Sequence, residues 1–515
     1  MNTKHYLKTF LLTLNLAAFA ALGQSKGSAG YNVTAYGAKG DGKSIDTKAI
    51  NQAIDEAAAH GGGTVNFPAG NYLTGSIRLK NNISLNLEQG ATIIAAPPTP
   101  EAGYDEPEKQ STDNPYQDYG HRHWHNSLIW GENLHDISIT GQGTIWGKDL
   151  TRSNKGDDDK RPNKSISLRN CHNVIIKDIS ILHGGWFGIL ATGIDNFTVN
   201  NVKMDTNRDG MDIDCCQNVR ISDCSVNSPY DDGICLKSSY GLGYARPTEN
   251  VTITNCQVSG FDEGSFLDGT FKRNEKKYSD GNPTGRIKFG TESNGGFRNI
   301  TISNCVFTYC RGLALETVDG ALLEDVTINN ITMRDIVNAP IFVRLGARMR
   351  APADMKVGTC TRVIISNVVV YNADSRHGAI ISGVPGNDIN DLTLNNIRIY
   401  YKGGGTAEQA KREVPALEKG YPEPYQFGVM PSYGFFIRNV TDLKMNDVQV
   451  SYLTEDQRPP FILDNVNGAD FQRIRAQKAS GVPTFVLNNV KGLNIFNSVN
   501  IANTKLAGVT RKEIQ

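Results

Sequence analysis

Nine short stretches of this chain repeat one pattern: alternating apolar positions, then Asn or Asp, then a single apolar residue. They read NVIIKDI, NFTVNNV, NVRISDC, NVTITNC, NITISNC, DVTINNI, RVIISNV, DLTLNNI and DLKMNDV. The polar residue is Asp178, Asn201, Asp223, Asn255, Asn304, Asn330, Asn367, Asn396 or Asp447. The residue after it is Ile179, Val202, Cys224, Cys256, Cys305, Ile331, Val368, Ile397 or Val448. Period-two alternation with β-branched residues predicts a strand in each stretch. The shortest spacings, 23 residues from Asp178 to Asn201 and 22 from Asn201 to Asp223, suit one coil of a solenoid. A β-sandwich also uses many short strands, but it does not explain the fixed register. The pattern therefore predicts an all-β parallel β-helix, with an Asn/Asp ladder at one turn and the following apolar residue pointing inward. Cys224, Cys256 and Cys305 share that inward slot with Ile and Val, so they read as packed thiols, not disulfides or metal ligands. The count of nine cysteines, an odd number, agrees. The longer intervals, 255 to 304 and 396 to 447, predict either an extra coil of weaker signature or loops, with Gly260 to Gly285 and Lys402 to Ser432 as the loop candidates that would build a binding face.

The first residues predict a different fate. Lys4 and Lys8 precede a short apolar run from Leu11 to Leu22 that ends in small residues. This is a secretory signal, residues 1–23, expected to be cleaved on export to the periplasm or medium. Residues 24–64 read as a cap. Asp46 is placed to cap a helix whose apolar face is Ile50, Ala53, Ile54, Ala57 and Ala58, and the glycines at 61–63 stop it. Such a helix covers the open end of a solenoid, and residues 65–515 form the β-helix. With 53 basic and 53 acidic residues there is no excess to attract nucleic acid, and no second apolar run predicts a membrane partner. A monomer is expected.

The repeat register also selects carboxylates. Asp209 lies eight residues after Asn201, and Asp231 lies eight after Asp223, with Asp232 next. The same offset selects Trp186 before and Glu263 after, predicting one row of Trp186, Asp209, Asp231 and Glu263 with about 4.8 Å between coils. Stacked like charges are costly, and they push pKa values apart so that one carboxyl keeps a proton while another ionises. Glycoside hydrolysis needs such an acid and base, and an aromatic neighbour suits a sugar ring. The other reading is a calcium site or solvated turn aspartates. Gly210 and Gly233 mark turns, and Asp212 and Asp214 are assigned to that second reading.

At these residues the chain resembles glycoside hydrolase family 28, the polygalacturonases. The likeness is carried by YNVTAYGAKGDGKSIDTKAINQAI, ENLHDISITGQGTIWG, and NRDGMDIDCCQNV followed by DDGICLKS. Asn207, Arg208 and Asp209 stand where the family has Asn-Thr-Asp, and Asp231 and Asp232 match its Asp-Asp pair. The resemblance implies a right-handed, pectin-lyase-like β-helix that hydrolyses plant cell-wall pectic polysaccharide, inverting and without metal or other cofactor. It implies Asp231 as general acid, with Asp209 and Asp232 activating water. Expected substrate contacts are Trp186, Asn207, Lys237, Glu263, Arg286, Lys288, Glu292 and Glu316.

Two departures bear on specificity. The family's Gly-His-Gly histidine is absent; aligned on Gly290, Thr284 stands about there. Where the family has Arg-Ile-Lys, this chain has RGLALETVDG, placing Ala314 and Glu316 at the two cations. A glutamate there repels a galacturonate carboxylate. Arg286, Lys288, Arg311, Arg344, Arg348 and Arg350 are the alternative sources of charge, and a rhamnose-containing pectin fragment fits as well as homogalacturonan. The large loops narrow the groove, favouring action on chain ends. His121, Arg122, His123, Trp124 and His125 form a further cluster, read as a sugar-contacting loop with Trp124 as platform, an ordinary surface loop or, less simply, a metal site. A β-helix polysaccharide lyase and a non-catalytic glycan-binding β-helix are the rival functions.

Overall fold

The computed structural model describes residues 30–108, 116, 121, 123–152, 161–273 and 283–515. The signal segment 1–23, Arg122 and part of the Gly260–Gly285 loop lie outside the described residues.

The chain winds as a right-handed parallel β-helix. Successive coils pair in parallel register, as where Val174, Ile176 and Lys177 align with Phe197, Val199 and Asn200, and these with Val219, Ile221 and Ser222. The polar residue of all nine repeats adopts a left-handed backbone, φ 53° to 66°. Asn and Asp tolerate that conformation because a short polar side chain satisfies the turn locally. They also ladder: the Asn201 amide donates to Asp178 at 2.8 Å, Asn304 to Asn255 at 3.3 Å and Asn396 to Asn367 at 2.7 Å. A second ladder, which the repeat analysis did not anticipate, runs through Asn173, Asn196, Asn218, Asn250 and Asn299. The nine residues after the first ladder are all buried. The nine cysteines are free, buried thiols.

The helix Thr47–Ala59 buries Ile50, Ala53, Ile54 and Ala57 against the first coils. Asp46 occupies the N-cap position without capping; its carboxylate accepts the backbone N–H groups of Lys39 and Gly40 at 2.7 and 3.0 Å. It therefore pins the preceding loop instead. Short strands in this segment, Tyr31–Asn32 and Asp41–Ile45, already pair in parallel with Gly63–Phe67 and Gly70–Thr74. At the other end Thr504–Ile514 turns back antiparallel on Phe485–Phe496 and covers the last coil's edge. Among the described residues no helix is long and apolar enough to cross a membrane.

One sheet of the solenoid carries an outward row that runs from the early coils to the last. It passes through Leu190, Asp212, Cys235, Lys288, Ala314, Phe342, Ile380, Phe436, Ile462 and Val486. The loop 404–434 lies over its later half, packing Phe427 and Met430 on Phe342, Ile380 and Phe436.

Candidate active site

The two aspartate coils are not in the register expected from a constant offset. Asp205 aligns with Asn227 and Met211 with Ile234, so six residues separate the first pair of marks and seven the second. The turn through Ser228, Pro229 and Tyr230 holds one extra residue. Asp209 therefore aligns with Phe187 on one side and Asp232 on the other, while Trp186, Arg208 and Asp231 form the neighbouring stack. Gly210 is not a turn residue: it lies in the strand Asp209–Asp214, where a Cβ would come within 2.4 Å of the Gly233 carbonyl. Glycine there lets the two coils approach.

One oxygen from each of Asp209, Asp231 and Asp232 lies within 4.8 Å of the others. Their surroundings differ. Asp209 is buried, with Oδ1 unbonded among the described residues. Burial, and then Asp212 and Asp231, push its pKa well above the usual carboxylate value, against Lys237 and Arg208. Asp232 is as deeply buried, which alone would raise it, but Lys288 and Arg286 prevail and hold it well below that value. Its Oδ1 accepts from Arg286 Nε at 2.8 Å, and Oδ2 faces Lys288 Nζ at 3.1 Å. Asp231 keeps 27% of its side chain exposed, at the mouth of the cluster. Its Oδ2 accepts from Arg208 at 2.8 Å, and Arg208 lies 3.9 Å over the Trp186 ring.

Several expectations are corrected by this arrangement. That face of Trp186 is covered by Arg208, so the ring supports a cation and is not a free platform for sugar. Glu263 stands outside the row, bridged to Arg152 at 2.6 Å and His183 at 3.1 Å. Asp212 and Asp214 are not solvated turn residues but buried strand residues. Asp212 holds His121 at 2.8 Å and Lys237 at 3.1 Å, and Asp214 accepts the Ser239 N–H at 2.7 Å. The histidine segment is not a strand, and Trp124 is buried with Arg169 4.4 Å over its ring. Carboxylates do reach it from elsewhere in the chain: His125 meets Glu132 at 2.9 Å and Glu108 at 3.7 Å. That Glu108 oxygen also accepts from the Trp124 and His125 N–H groups, and the other oxygen of Glu132 accepts from Arg169.

Lys237 bridges Asp212 and Glu292, and Arg350 donates to Glu292 at 2.7 Å. Arg348 pairs with Asp319, and Arg344 donates to Ser382 and the loop carbonyls of Ala416 and Leu417. Asn207 gives its backbone carbonyl to the Tyr230 N–H at 2.9 Å. Glu316 is fully buried, 3.7 Å from Arg286 and 3.8 Å from Lys288, with neither oxygen hydrogen-bonded among the described residues. Burial pushes its pKa up to about 8 despite those cations. They spend their hydrogen bonds on Asp232 and on Glu423, a residue of the 404–434 loop.

A family model described as "Rhamnogalacturonase A/epimerase, pectate lyase-like" matches residues 30–262. A probable polygalacturonase of Vitis vinifera is 26% identical over 386 residues, covering 66% of this chain and 73% of that protein. An exo-poly-alpha-D-galacturonosidase of Dickeya chrysanthemi is 28% identical over 54% of this chain and 40% of its own length. The chain is polygalacturonase-like in sequence. The fold agrees: a family 28 exopolygalacturonase of Yersinia enterocolitica superposes with a TM-score of 0.62 at 19% identity, over 90% of this chain and 78% of that one. An exopolygalacturonase of Thermotoga maritima superposes at 0.58 with 16% identity, over 94% and 95%.

In this polygalacturonase-like chain, sequence reasoning missed Glu423 and Tyr421. Glu423 is buried against Arg286 and Arg311, and Tyr421 leaves 45% of its surface exposed with its ring 5.9 Å from Lys288 Nζ. Both sit in a loop with no repeat pattern, so no register pointed to them.

Proposed function

We propose that the chain is an exported hydrolase of α-glycosidic bonds in plant cell-wall pectic polysaccharide, acting from chain ends with inversion. The observation that carries this is the cluster of three carboxylates, drawn from adjacent coils to within 4.8 Å, in which burial and the neighbouring carboxylates raise Asp209 while Lys288 and Arg286 lower Asp232. Oxygens this close can share one water between Asp209 and Asp232. Asp232, ionised, takes the water's proton as the water oxygen bonds to the anomeric carbon. The bond from that carbon to the leaving oxygen breaks, and Asp231, which takes a proton from solvent once Arg208 is displaced, gives that proton to the leaving oxygen. Asp209, whose pKa burial and its carboxylate neighbours raise, orients the water. Arg208 has to part from Asp231 for the donation, so substrate binding and proton delivery are linked. Both Asp232 oxygens are tied to cations, which favours a base over a carboxylate nucleophile.

Action from chain ends is supported by the 404–434 loop, which closes the sheet beyond Ala314. The matched family description and the relatives' names support the pectic substrate. Product analysis on homogalacturonan and rhamnogalacturonan fragments, with proton NMR of the first product anomer, tests the reading. Released monosaccharide of inverted configuration supports it. Products absorbing in the near ultraviolet would instead mean β-elimination by a lyase, and no products from either glycan would leave a binding protein.

A further inference from the structure

We propose that Glu423 is a built-in occupant of the site's cation cluster, and that it makes the subsite beside Asp232 accept a neutral sugar and refuse a uronate. This deepens the hydrolase reading and rests on it. Arg286, Lys288 and Arg311 converge next to Asp232, as a subsite for a sugar carboxylate would require. The chain fills that subsite itself. Glu423 Oε1 accepts from Arg286 and lies 4.0 Å from Lys288, while Oε2 accepts from Arg311 at 2.9 Å. Each Glu423 oxygen thus takes one charge-assisted hydrogen bond, from a different arginine. Glu316 sits behind the same two cations at 3.7 and 3.8 Å.

Glu423 is held there and does not swing freely. Arg344 fixes the loop by its Ala416 and Leu417 carbonyls, and Phe427 anchors the other side of Glu423 on Phe342. Pro422 and Pro424 flank it, limiting the backbone. A uronate arriving here finds its cations engaged and meets the negative charge of Asp232 and Glu423 at close range. A neutral sugar meets acceptors for its hydroxyls and no repulsion. Rejection thus comes from a placed charge, not from lost contacts.

The test compares wild type with Glu423→Ala and Glu423→Gln, the second keeping the shape and part of the hydrogen bonding if the first folds poorly. Activity is read on two matched oligosaccharides, one ending in galacturonate and one in rhamnose. The expected result is wild-type preference for the neutral end, reduced by about tenfold or more in Glu423→Ala and by less in Glu423→Gln. Free galacturonate, but not galactose, is expected to raise the melting temperature of Glu423→Ala more than that of wild type. Wild-type preference for the galacturonate end, unchanged discrimination in both folded variants, or equal stabilisation of wild type and variant by galacturonate would overturn the proposal. If neither oligosaccharide is hydrolysed, the hydrolase reading fails while the galacturonate shift still decides the role of Glu423.

Discussion

From Leu190 to Lys288 the outward row of one sheet carries Asp212, Cys235 and Lys288; from Ala314 onward it carries Phe342, Ile380, Phe436 and Ile462. Parallel pairing and a buried inward row run through both halves. Only what lies over the sheet differs. The early half holds carboxylates and cations in mutual pairs, and the later half is sealed by Phe427 and Met430. The boundary falls between Lys288 and Ala314, where the loop also delivers Glu423. A solenoid buries its core through inward residues, so the outward row is free to become a reaction site in one coil and a docking face in the next. Here one loop does both: it covers the apolar half and trims the charged half.

The largest effect should come from breaking the charged half at Asp232. Asp232→Asn is expected to lower kcat by about 10³-fold, the scale of a lost general base, as measured by reducing-sugar release. The fold should survive, because Arg286 keeps Glu423 and the amide oxygen of an asparagine at 232 can still accept from a neighbouring cation. A residual rate within a few-fold of wild type, in a protein with unchanged circular dichroism, would remove Asp232 from the mechanism.

That division between the halves also explains what could be read in advance. The coils were legible because each repeats two constraints: a left-handed turn that favours Asn or Asp, and an inward slot that only an apolar side chain fits. The aspartates were legible because they sit near those marks. Their alignment was misjudged by one residue because a turn can lengthen without disturbing the ladder, as Ser228 to Tyr230 shows. Glu423 and Tyr421 had no such marks. Their positions are set by where Phe427 and Met430 dock some coils away, a tertiary fact with no local period.

The apolar half is broken most directly at Phe427. Its ring lies 6.2 Å from that of Phe342, and the residue is 1% exposed. Phe427→Ala should destabilise the protein by about 3–5 kcal/mol, the cost of an aromatic cavity, if the loop and sheet unfold as one unit in a denaturant titration. If instead the loop lifts alone, global stability changes little and longer internal fragments appear among the products. Either result fixes how far the loop is independent of the coils. Unchanged stability together with unchanged products would refute its part in closing the groove.

A smaller effect sharpens the boundary itself. Glu316 is held protonated up to about pH 8 in the folded chain, whereas its unfolded value is the ordinary 4.5. Between those pH values the native state binds more protons than the unfolded state, so this residue makes stability fall as pH rises. Glu316→Gln mimics the protonated form and should remove that slope. The variant is expected to match wild type near pH 4.5 and to exceed it progressively toward pH 8. A variant less stable at pH 8 would show that Glu316 is ionised and paired with Lys288 and Arg286 after all.

The smallest change lies far from both halves, on the Asn ladder, and serves as their control. Asn304 has φ 55°, is exposed, donates to Asn255 at 3.3 Å and accepts from Asn330 at 3.2 Å. Asn304→Gly loses those bonds but enters the left-handed region without strain. Asn304→Ala loses the same bonds and adds about 1 kcal/mol for placing a Cβ there. The glycine variant should therefore be the more stable of the two, with both retaining wild-type discrimination between neutral and uronate ends. If alanine equals glycine, the ladder is held by its hydrogen bonds and not by the turn. If either variant alters discrimination, the ladder communicates with the site, and the two outward halves are less independent of the coil than their packing implies.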